Sequence, residues 1–135
     1  MSQENVEAFK RASDALNRRD VEALLEELDP EFEWHGDFLT AMGGKGTVYR
    51  GHEGIRKWLR DLYKTLSEYQ AEYPEIRDLG DRTVAIGRIR ARGRASGAET
   101  ESPIGSVLEF KNGKAIRGWT YLDPKDALEA AGLSE

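Results

Sequence analysis

Proton transfer near neutral pH is the chemistry that the two histidines of this chain would suit. His35 directly follows Trp34 at the end of a short alternating segment, and His52 precedes an amphipathic one. Imidazole changes its charge between about pH 5 and 8, which makes it a natural general base. His35 faces either a pocket or solvent, whereas the place of His52 at a helix start favours capping or packing. Two histidines so far apart, with no third ligand in view, do not predict a metal site.

A second polar group comes from the last alternating segment of the chain, which contains Arg117 and Tyr121. The hairpin turns described below place both side chains on the concave face of a sheet, together with Trp119 and with Ser106 of the preceding segment. A buried arginine needs a partner, and an anionic or carbonyl ligand would be one.

Together these residues predict a binding site for a small organic molecule. If the protein is an enzyme, we expect its catalytic residues to be His35, Arg117 and Tyr121. The side chains expected to bind the substrate are Trp34, Tyr49, Ser106 and Trp119. The alternative for Arg117 is a structural ion pair with Glu72 or Asp37, or a place at the open rim of the pocket.

Apolar residues at helical spacing fill the first half of the chain. They recur from Val6 to Leu16, from Val21 to Leu28 and from Ile55 to Leu66, which predicts three amphipathic helices. Phe32 to His35 alternates like a short strand. Glycines make Ala41 to Gly46 a predicted loop or hairpin tip.

Alternating patterns then predict four strands and a short C-terminal helix. The strands are Tyr69 to Ile76, Thr83 to Arg94, Glu99 to Phe110 and Lys114 to Tyr121. Ser96-Gly97 and Asn112-Gly113 are suitable hairpin turns. Asp123 caps the final helix, with Pro124 at its first position.

The two turns define a provisional register, in which Leu108 faces Arg117. This register assigns an apolar set to the face directed away from the helices, namely Val84, Ile86, Val107 and Ile116. An exposed apolar patch indicates an interface, so we expect a homodimer that associates through the sheet. A bulge would break this sorting, and Gly87 and Gly93 are candidate bulge points.

Length and composition limit the possible classes of protein. A chain of 135 residues suits one domain spanning residues 1–135. The net charge of -5 argues against general binding of nucleic acid, which requires a basic face. The absence of cysteine excludes disulfides and thiolate chemistry. No secretory leader or apolar run near the ~20 residues of a membrane span is visible, so we expect a cytoplasmic protein without membrane contacts.

Several segments occur in an order and at a spacing typical of one protein family. They are Asn17 to Leu24, Phe32 to Trp34, Tyr49 to Ile55, Arg92 to Gly97 and Gly113 to Asp123. Over nearly the whole chain they resemble the SnoaL-like branch of the nuclear-transport-factor-2-like superfamily. The resemblance implies an α+β cone-shaped barrel, in which a strongly curved, mostly antiparallel sheet wraps around N-terminal helices and a short C-terminal helix follows. It also implies an internal pocket and, often, a dimer formed through the sheet.

The catalytic positions of related families carry over only in part. SnoaL-type cyclases use an acidic residue after a tryptophan in the final strand, where this chain has Thr120 after Trp119. Ketosteroid isomerases place an aspartate base on the first strand. The aligned position in this chain lies near Trp34, which cannot act as a base. His35 is adjacent to it and could be one. Limonene-epoxide hydrolases use an Asp-Arg-Asp set, for which Arg117 supplies only the arginine.

The resemblance leaves the activity open, because this fold supports isomerases, cyclases, epoxide hydrolases and proteins with no known reaction. We expect a protein that binds a small organic molecule in a largely apolar pocket. If it is an enzyme, we expect a cofactor-independent isomerase, cyclase or hydrolase. The alternative is a non-catalytic ligand-binding or dimerisation domain. A carboxylate or histidine with a perturbed pKa beside a positioned donor would favour the enzyme.

The sharpest charge pattern is a stripe of arginines on one face of one predicted strand, Arg88, Arg90, Arg92 and Arg94. Such a stripe fits either a phosphate-binding surface or a solvated face with acidic partners. The predicted register places Glu101 opposite Arg92 and Glu99 opposite Arg94, which favours the solvated face.

We therefore expect no retention of the protein on heparin at physiological salt. The glutamates cancel the local field that a polyanion requires, although each exposed pair contributes only ~0.2–1 kcal/mol. Elution from a heparin column, compared with a basic protein of similar size, checks this prediction. Strong retention that weakens steeply with added salt would contradict it, because the arginines would then act together on phosphate-like charge.

Overall fold

A computed structural model describes residues 3–36 and 48–133 as an α+β fold. Its helices are α1 (Gln3–Asn17), α2 (Val21–Glu26), α3 (Gly51–Thr65) and α4 (Pro124–Ala130). Its strands are β1 (Leu28–His35), β2 (Tyr49–Arg50), β3 (Leu66–Asp78), β4 (Arg82–Gly93), β5 (Glu99–Lys111) and β6 (Lys114–Tyr121). Asp37 and the predicted loop from Ala41 to Gly46 lie outside the described residues.

The strands form one curved, open sheet in the order β2-β1-β6-β5-β4-β3. Neighbouring strands are antiparallel except for β1 and β6, which run parallel. The three N-terminal helices lie on the concave face, because each presents an apolar stripe to it. The main core forms between them, with Phe9, Leu25, Phe32, Ile55 and Leu108 among its members. The predicted fold class is confirmed.

The pairing of β4 with β5 differs from the predicted register by two residues. Arg92 pairs with Glu99 and Ala85 with Ser106, because the connection between the strands is longer than the predicted two-residue turn. Side chains alternate between faces with a period of two, so this shift leaves each side chain on its predicted face. The predicted partners are wrong, but the predicted sorting of β4 and β5 is right.

The pairing of β5 with β6 contains a bulge that the predicted register lacks. Phe110 pairs with Ala115 as predicted, but Glu109 then pairs with Arg117, which leaves Ile116 as an extra residue in β6. A one-residue shift exchanges the two faces of a strand. The strand therefore continues beyond Ile116 with its sides reversed.

This bulge overturns the predicted positions of several site residues. Gly118 and Thr120 are buried on the concave side, opposite Leu108 and Ser106 of β5. The side chains that lie instead on the outer face of the sheet are Arg117, Trp119 and Tyr121. The prediction that these three share the concave face with Ser106 is wrong.

Helix α4 covers the part of the outer face that the sequence predicted to be an exposed apolar patch. Asp123 accepts a hydrogen bond from the Lys125 amide at 3.0 Å and so caps the helix. Ala127 of α4 packs with Val84 and Val107, which are 0% and 3% exposed. The predicted exposure of these two valines is wrong, because the chain covers them itself. The homodimer stays a prediction.

The predicted bulges of β4 at Gly87 and Gly93 are not found, because β4 pairs with β5 without a shift and the extra residues lie in the facing strand β3. The register of β3 shifts between Leu66 and Glu68, opposite Gly93, and between Glu72 and Glu75, opposite Gly87. A Cβ at Gly87 would lie 1.7 Å from the Glu72 carbonyl oxygen. Glycine is therefore required at position 87 by the close approach of the β3 backbone.

We expect Gly87→Ala to destabilise the protein by ~3 kcal/mol or more, because backbone atoms of β3 must move to admit the methyl group. Gly93→Ala is the matched control. Its Cβ would meet the Ser96 Oγ at 2.7 Å, and this is the end of a side chain that can rotate. Urea unfolding of both variants checks the prediction, and equal losses of unfolding free energy would contradict it.

Candidate functional site

An apolar cavity of about 70 Å³ lies between the concave face and helices α1, α2 and α3. A cavity needs ~10–15 Å³ to hold one water molecule, so this one has room for a small organic group. Among the described residues, no ionisable side chain other than a tyrosine lines it. Its lining includes Phe9, Leu16, Phe32, Ile55, Trp58 and Leu108. Two of the predicted site residues, Trp34 and Ser106, also line it.

Trp34 lies against β6 because the opposing residue is Gly118. A Cβ at Gly118 would be 2.9 Å from the indole carbon Cε3. The ring also makes an edge contact with Trp58, at 5.2 Å between centroids. The buried Trp34 Nε1 has no hydrogen-bond partner among the described residues. An unpaired buried donor costs about 1–3 kcal/mol, so a ligand acceptor at this atom would be stabilising.

Tyr73 and Ser106 provide the hydroxyl groups on the sheet side of the cavity. Burial raises the pKa of Tyr73, and a hydrogen bond with the Ser106 hydroxyl acts in the opposite direction. Burial dominates, so the phenol keeps its proton at neutral pH. Its ring packs edge-on against Phe9, at 5.1 Å. Sequence reasoning missed Tyr73, although its alternation with Tyr69 and Ala71 was a sufficient signal.

The predicted catalytic residues lie on the other side of the sheet from the cavity. The His35 ring stacks on Trp119 with 5.2 Å between centroids, and its Nε2 is 3.5 Å from Glu33. Arg117 Nε donates a hydrogen bond to Glu109 Oε1 at 2.7 Å, which raises the pKa of the arginine. Arg117 is therefore in an ion pair, but its partner is Glu109 on the outer face, which was not one of the expected partners.

Tyr121 also lies on the outer face, where it packs with the cluster beneath α4. Trp119 packs against the same cluster. The structure therefore brings His35, Trp119 and Arg117 to the outer surface of β1 and β6 and separates them from Trp34 and Ser106. Their contribution to function stays a prediction.

Tyr49 belongs to a separate cluster beside α3. Its hydroxyl donates a hydrogen bond to Asp61 at 2.9 Å, and Lys57 also contacts this carboxylate at 2.9 Å. Burial and the Asp61 carboxylate raise the pKa of Tyr49 to about 12. His52 Nε2 donates to the Leu28 carbonyl at 3.0 Å, as expected of a packing residue.

The comparison with protein families identifies the fold. The model of the SnoaL-like domain family matches residues 9–118. The chain belongs to this family. The predicted resemblance is therefore confirmed, and a search of curated proteins finds no match.

Solved structures similar to this SnoaL-like domain support the same fold. A protein of unknown function from Burkholderia pseudomallei, described as NTF2-like, is 23% identical with a TM-score of 0.82, and the match covers 96% of this chain and 97% of that one. TerC, co-crystallised with polyporic acid, is 25% identical with a TM-score of 0.81, over 93% of this chain and 96% of TerC. A protein with a ketosteroid isomerase-like fold from Catenulispora acidiphila, in complex with trimethylamine, is 13% identical with a TM-score of 0.76. The match covers 94% of this chain and 93% of that one.

Two further findings concern metals and membranes. Within the described residues of this SnoaL-like domain, no cluster of three His, Cys, Asp or Glu side chains is arranged to hold a metal ion. Over the same residues, no helix combines the length and apolar character needed to cross a bilayer.

We expect the Tyr49 hydroxyl to stabilise the fold, with an effect that disappears at high pH. Its folded-state pKa is about 12, above the ~10 of an unfolded tyrosine. The stabilisation is therefore complete below pH ~10 and is lost as the pH rises through the folded-state pKa. Urea unfolding from pH 8 to 11.5 should show a steeper loss of stability in the wild type than in Tyr49→Phe. Parallel curves would contradict the prediction.

Proposed function

We propose that this SnoaL-like protein binds a small, largely apolar organic molecule in its inner cavity. The observation that carries the proposal is the apolar cavity, whose described lining includes Trp34, a residue with a buried Nε1 donor that has no partner among the described residues. A ligand oxygen or nitrogen would satisfy this donor. TerC supports the proposal, since it was co-crystallised with a small organic molecule and is 25% identical over nearly the whole chain.

The apolar lining supplies the affinity and the polar groups supply the orientation. Burial of ligand surface against Phe9, Ile55 and Leu108 contributes roughly 25 cal/mol per Å². Trp34 and Tyr73 both line the cavity, and their N–H and hydroxyl groups favour a molecule that presents an acceptor to one of them. Ligand sites commonly combine an apolar wall with a few such polar groups.

We favour binding over acid/base catalysis because of the composition of the cavity. No Asp, Glu or His is among the described residues that line it. The position of the cyclase-type carboxylate is Thr120, which is buried on the concave side. His35 and Arg117 lie on the outer face, and their present partners are Glu33 and Glu109. These positions do not support proton transfer to a molecule in the cavity.

Replacing the indole N–H while keeping an aromatic ring tests the proposal. We expect wild-type protein to bind acetophenone more tightly than ethylbenzene, because the two have similar shapes but only the ketone can accept a hydrogen bond from Trp34. Trp34→Phe should remove this preference, a loss of about tenfold in relative affinity. Trp58→Phe is the matched control, since Trp58 lines the same cavity.

Ligand-induced shifts of amide NMR signals measure both affinities and show where the probes bind. Resonance changes should concentrate at cavity residues such as Ala12 and Ser106. The proposal fails if neither probe binds, or if the shifts map to the outer face around Trp119. Retention of the ketone preference in Trp34→Phe would overturn the role of the indole N–H.

A further inference from the structure

A second cavity lies at the surface between the α1–α2 turn and helix α3. Its volume is about 390 Å³, within the ~300–1,000 Å³ range of ligand sites. Its floor is apolar and consists of Leu16, Val21, Leu24 and Leu59. Its rim carries Arg19, Arg56 and Arg60. We call it the arginine groove.

The arginine groove adjoins the inner cavity. Leu16 and Leu24 belong to the linings of both, so the two spaces share a wall made of leucine side chains. Leu16 keeps part of its surface exposed. Leucine side chains make no hydrogen bonds, so a molecule in the groove would reach the inner cavity by displacing Leu16 and Leu24 into other rotamers.

Arg60 is one of two cations in the groove that have no carboxylate partner among the described residues. It has no hydrogen-bond or ion-pair partner among the described residues. Arg56, in contrast, contacts Glu22 at 2.8 Å and Glu53 at 3.9 Å. The only acidic side chain among the described lining residues is Asp20.

Asp20 is occupied by other partners. Its carboxylate accepts hydrogen bonds from the Ala23 amide at 3.1 Å and from Arg18 at 3.4 Å. The lining residues and their ion-pair partners together include four arginines and three carboxylates. They are Arg18, Arg19, Arg56 and Arg60, and Asp20, Glu22 and Glu53. The remaining single positive charge suits a monoanion.

Arg19 occupies a backbone position that usually takes glycine. Helix α1 ends with hydrogen bonds from the Arg19 amide to the Leu16 carbonyl at 3.0 Å and from the Asp20 amide to the Ala15 carbonyl at 2.9 Å. These bonds define a Schellman motif, in which Arg19 has a left-handed φ of 60°. A non-glycine residue in this conformation costs about 1–2 kcal/mol.

The Arg19 side chain is held over the groove. Its guanidinium lies 3.8 Å from the centre of the Tyr63 ring and donates a hydrogen bond to the Ser67 carbonyl. No carboxylate among the described residues neutralises it. A fixed, uncompensated guanidinium in the same groove as Arg60 is a suitable partner for an incoming carboxylate, because little side-chain entropy remains to be lost.

We propose that the arginine groove binds the carboxylate of a small amphipathic organic acid, whose apolar part passes between Leu16 and Leu24 toward the inner cavity. The inference rests on the proposed function for the apolar part of the ligand. Arg60 and Arg19 bind the carboxylate, and the leucine floor covers the first carbons next to it. The ligand class is thereby narrowed from apolar organic molecules to monoanionic acids.

The test uses phenylbutyrate and phenylbutanol, which differ in the carboxylate alone. We expect phenylbutyrate to bind the wild-type protein about tenfold more tightly than phenylbutanol. Arg60→Gln should remove most of this difference while leaving the affinity for phenylbutanol unchanged. Arg19→Gly should also lower the affinity for phenylbutyrate, and the left-handed backbone tolerates glycine at that position.

Arg90→Gln is the matched control. Arg90 is exposed on β4, on the outer face of the sheet, and the same change of charge there should leave both affinities unaltered. Amide NMR titration gives the affinities and the location of each probe. Equal binding of acid and alcohol, or no effect of Arg60→Gln, would overturn the inference.

The same titration separates the two proposals. If phenylbutanol shifts the inner-cavity signals of Ala12 and Ser106 but the acid has no advantage, the proposed function stands and the carboxylate site is overturned. If the acid binds with an Arg60-dependent affinity but shifts only groove residues such as Val21 and Leu59, the link to the inner cavity is overturned. If neither probe binds, both proposals fail.

Discussion

The position of a single extra residue in β6 decides which side chains face the inside of this protein. Ile116 interrupts the alternation of the strand, so Gly118 and Thr120 lie on the concave side while Arg117 and Trp119 lie outside. The inward glycine gives Trp34 its place against the sheet. Without the bulge, an arginine and a second tryptophan would have to enter the space next to Trp34. The apolar cavity depends on this reversal.

The sequence was sufficient to predict the order of elements, the fold class and the faces of β4 and β5, because these follow from periodicity. It also marked Gly87 and Gly93 as irregular positions, but the extra residues lie opposite them in β3 and not in β4 itself. The bulge at Ile116 carries no such mark, because an outward isoleucine fits a bulge and a regular strand equally well. The site residues of β6 were therefore assigned to the wrong face, whereas Trp34 and Ser106 were assigned to the correct face.

The separation of charge from the cavity follows from the cost of desolvation. Charged side chains of β4 lie on the outer face, where Arg92 pairs with Glu99 at 2.7 Å and Arg88 lies 4.0 Å from Glu101. The described residues that line the inner cavity include no such group, and their polar atoms are neutral hydroxyls and indoles. A charge buried there would need a partner that the lining does not provide. A charged part of any ligand must therefore remain near the surface.

Two features of the structure oppose stability, and both adjoin the proposed binding site. Trp34 carries a buried donor without a described partner, and Arg19 adopts a backbone conformation suited to glycine. Phenylalanine in place of Trp34 would relieve the first penalty locally, and glycine in place of Arg19 would relieve the second. Natural sequences tend to retain such conflicts where function requires them. Trp34 lines the inner cavity and Arg19 lines the groove, and Leu16 and Leu24 belong to the linings of both. A ligand with an apolar body and one anionic end would require this arrangement.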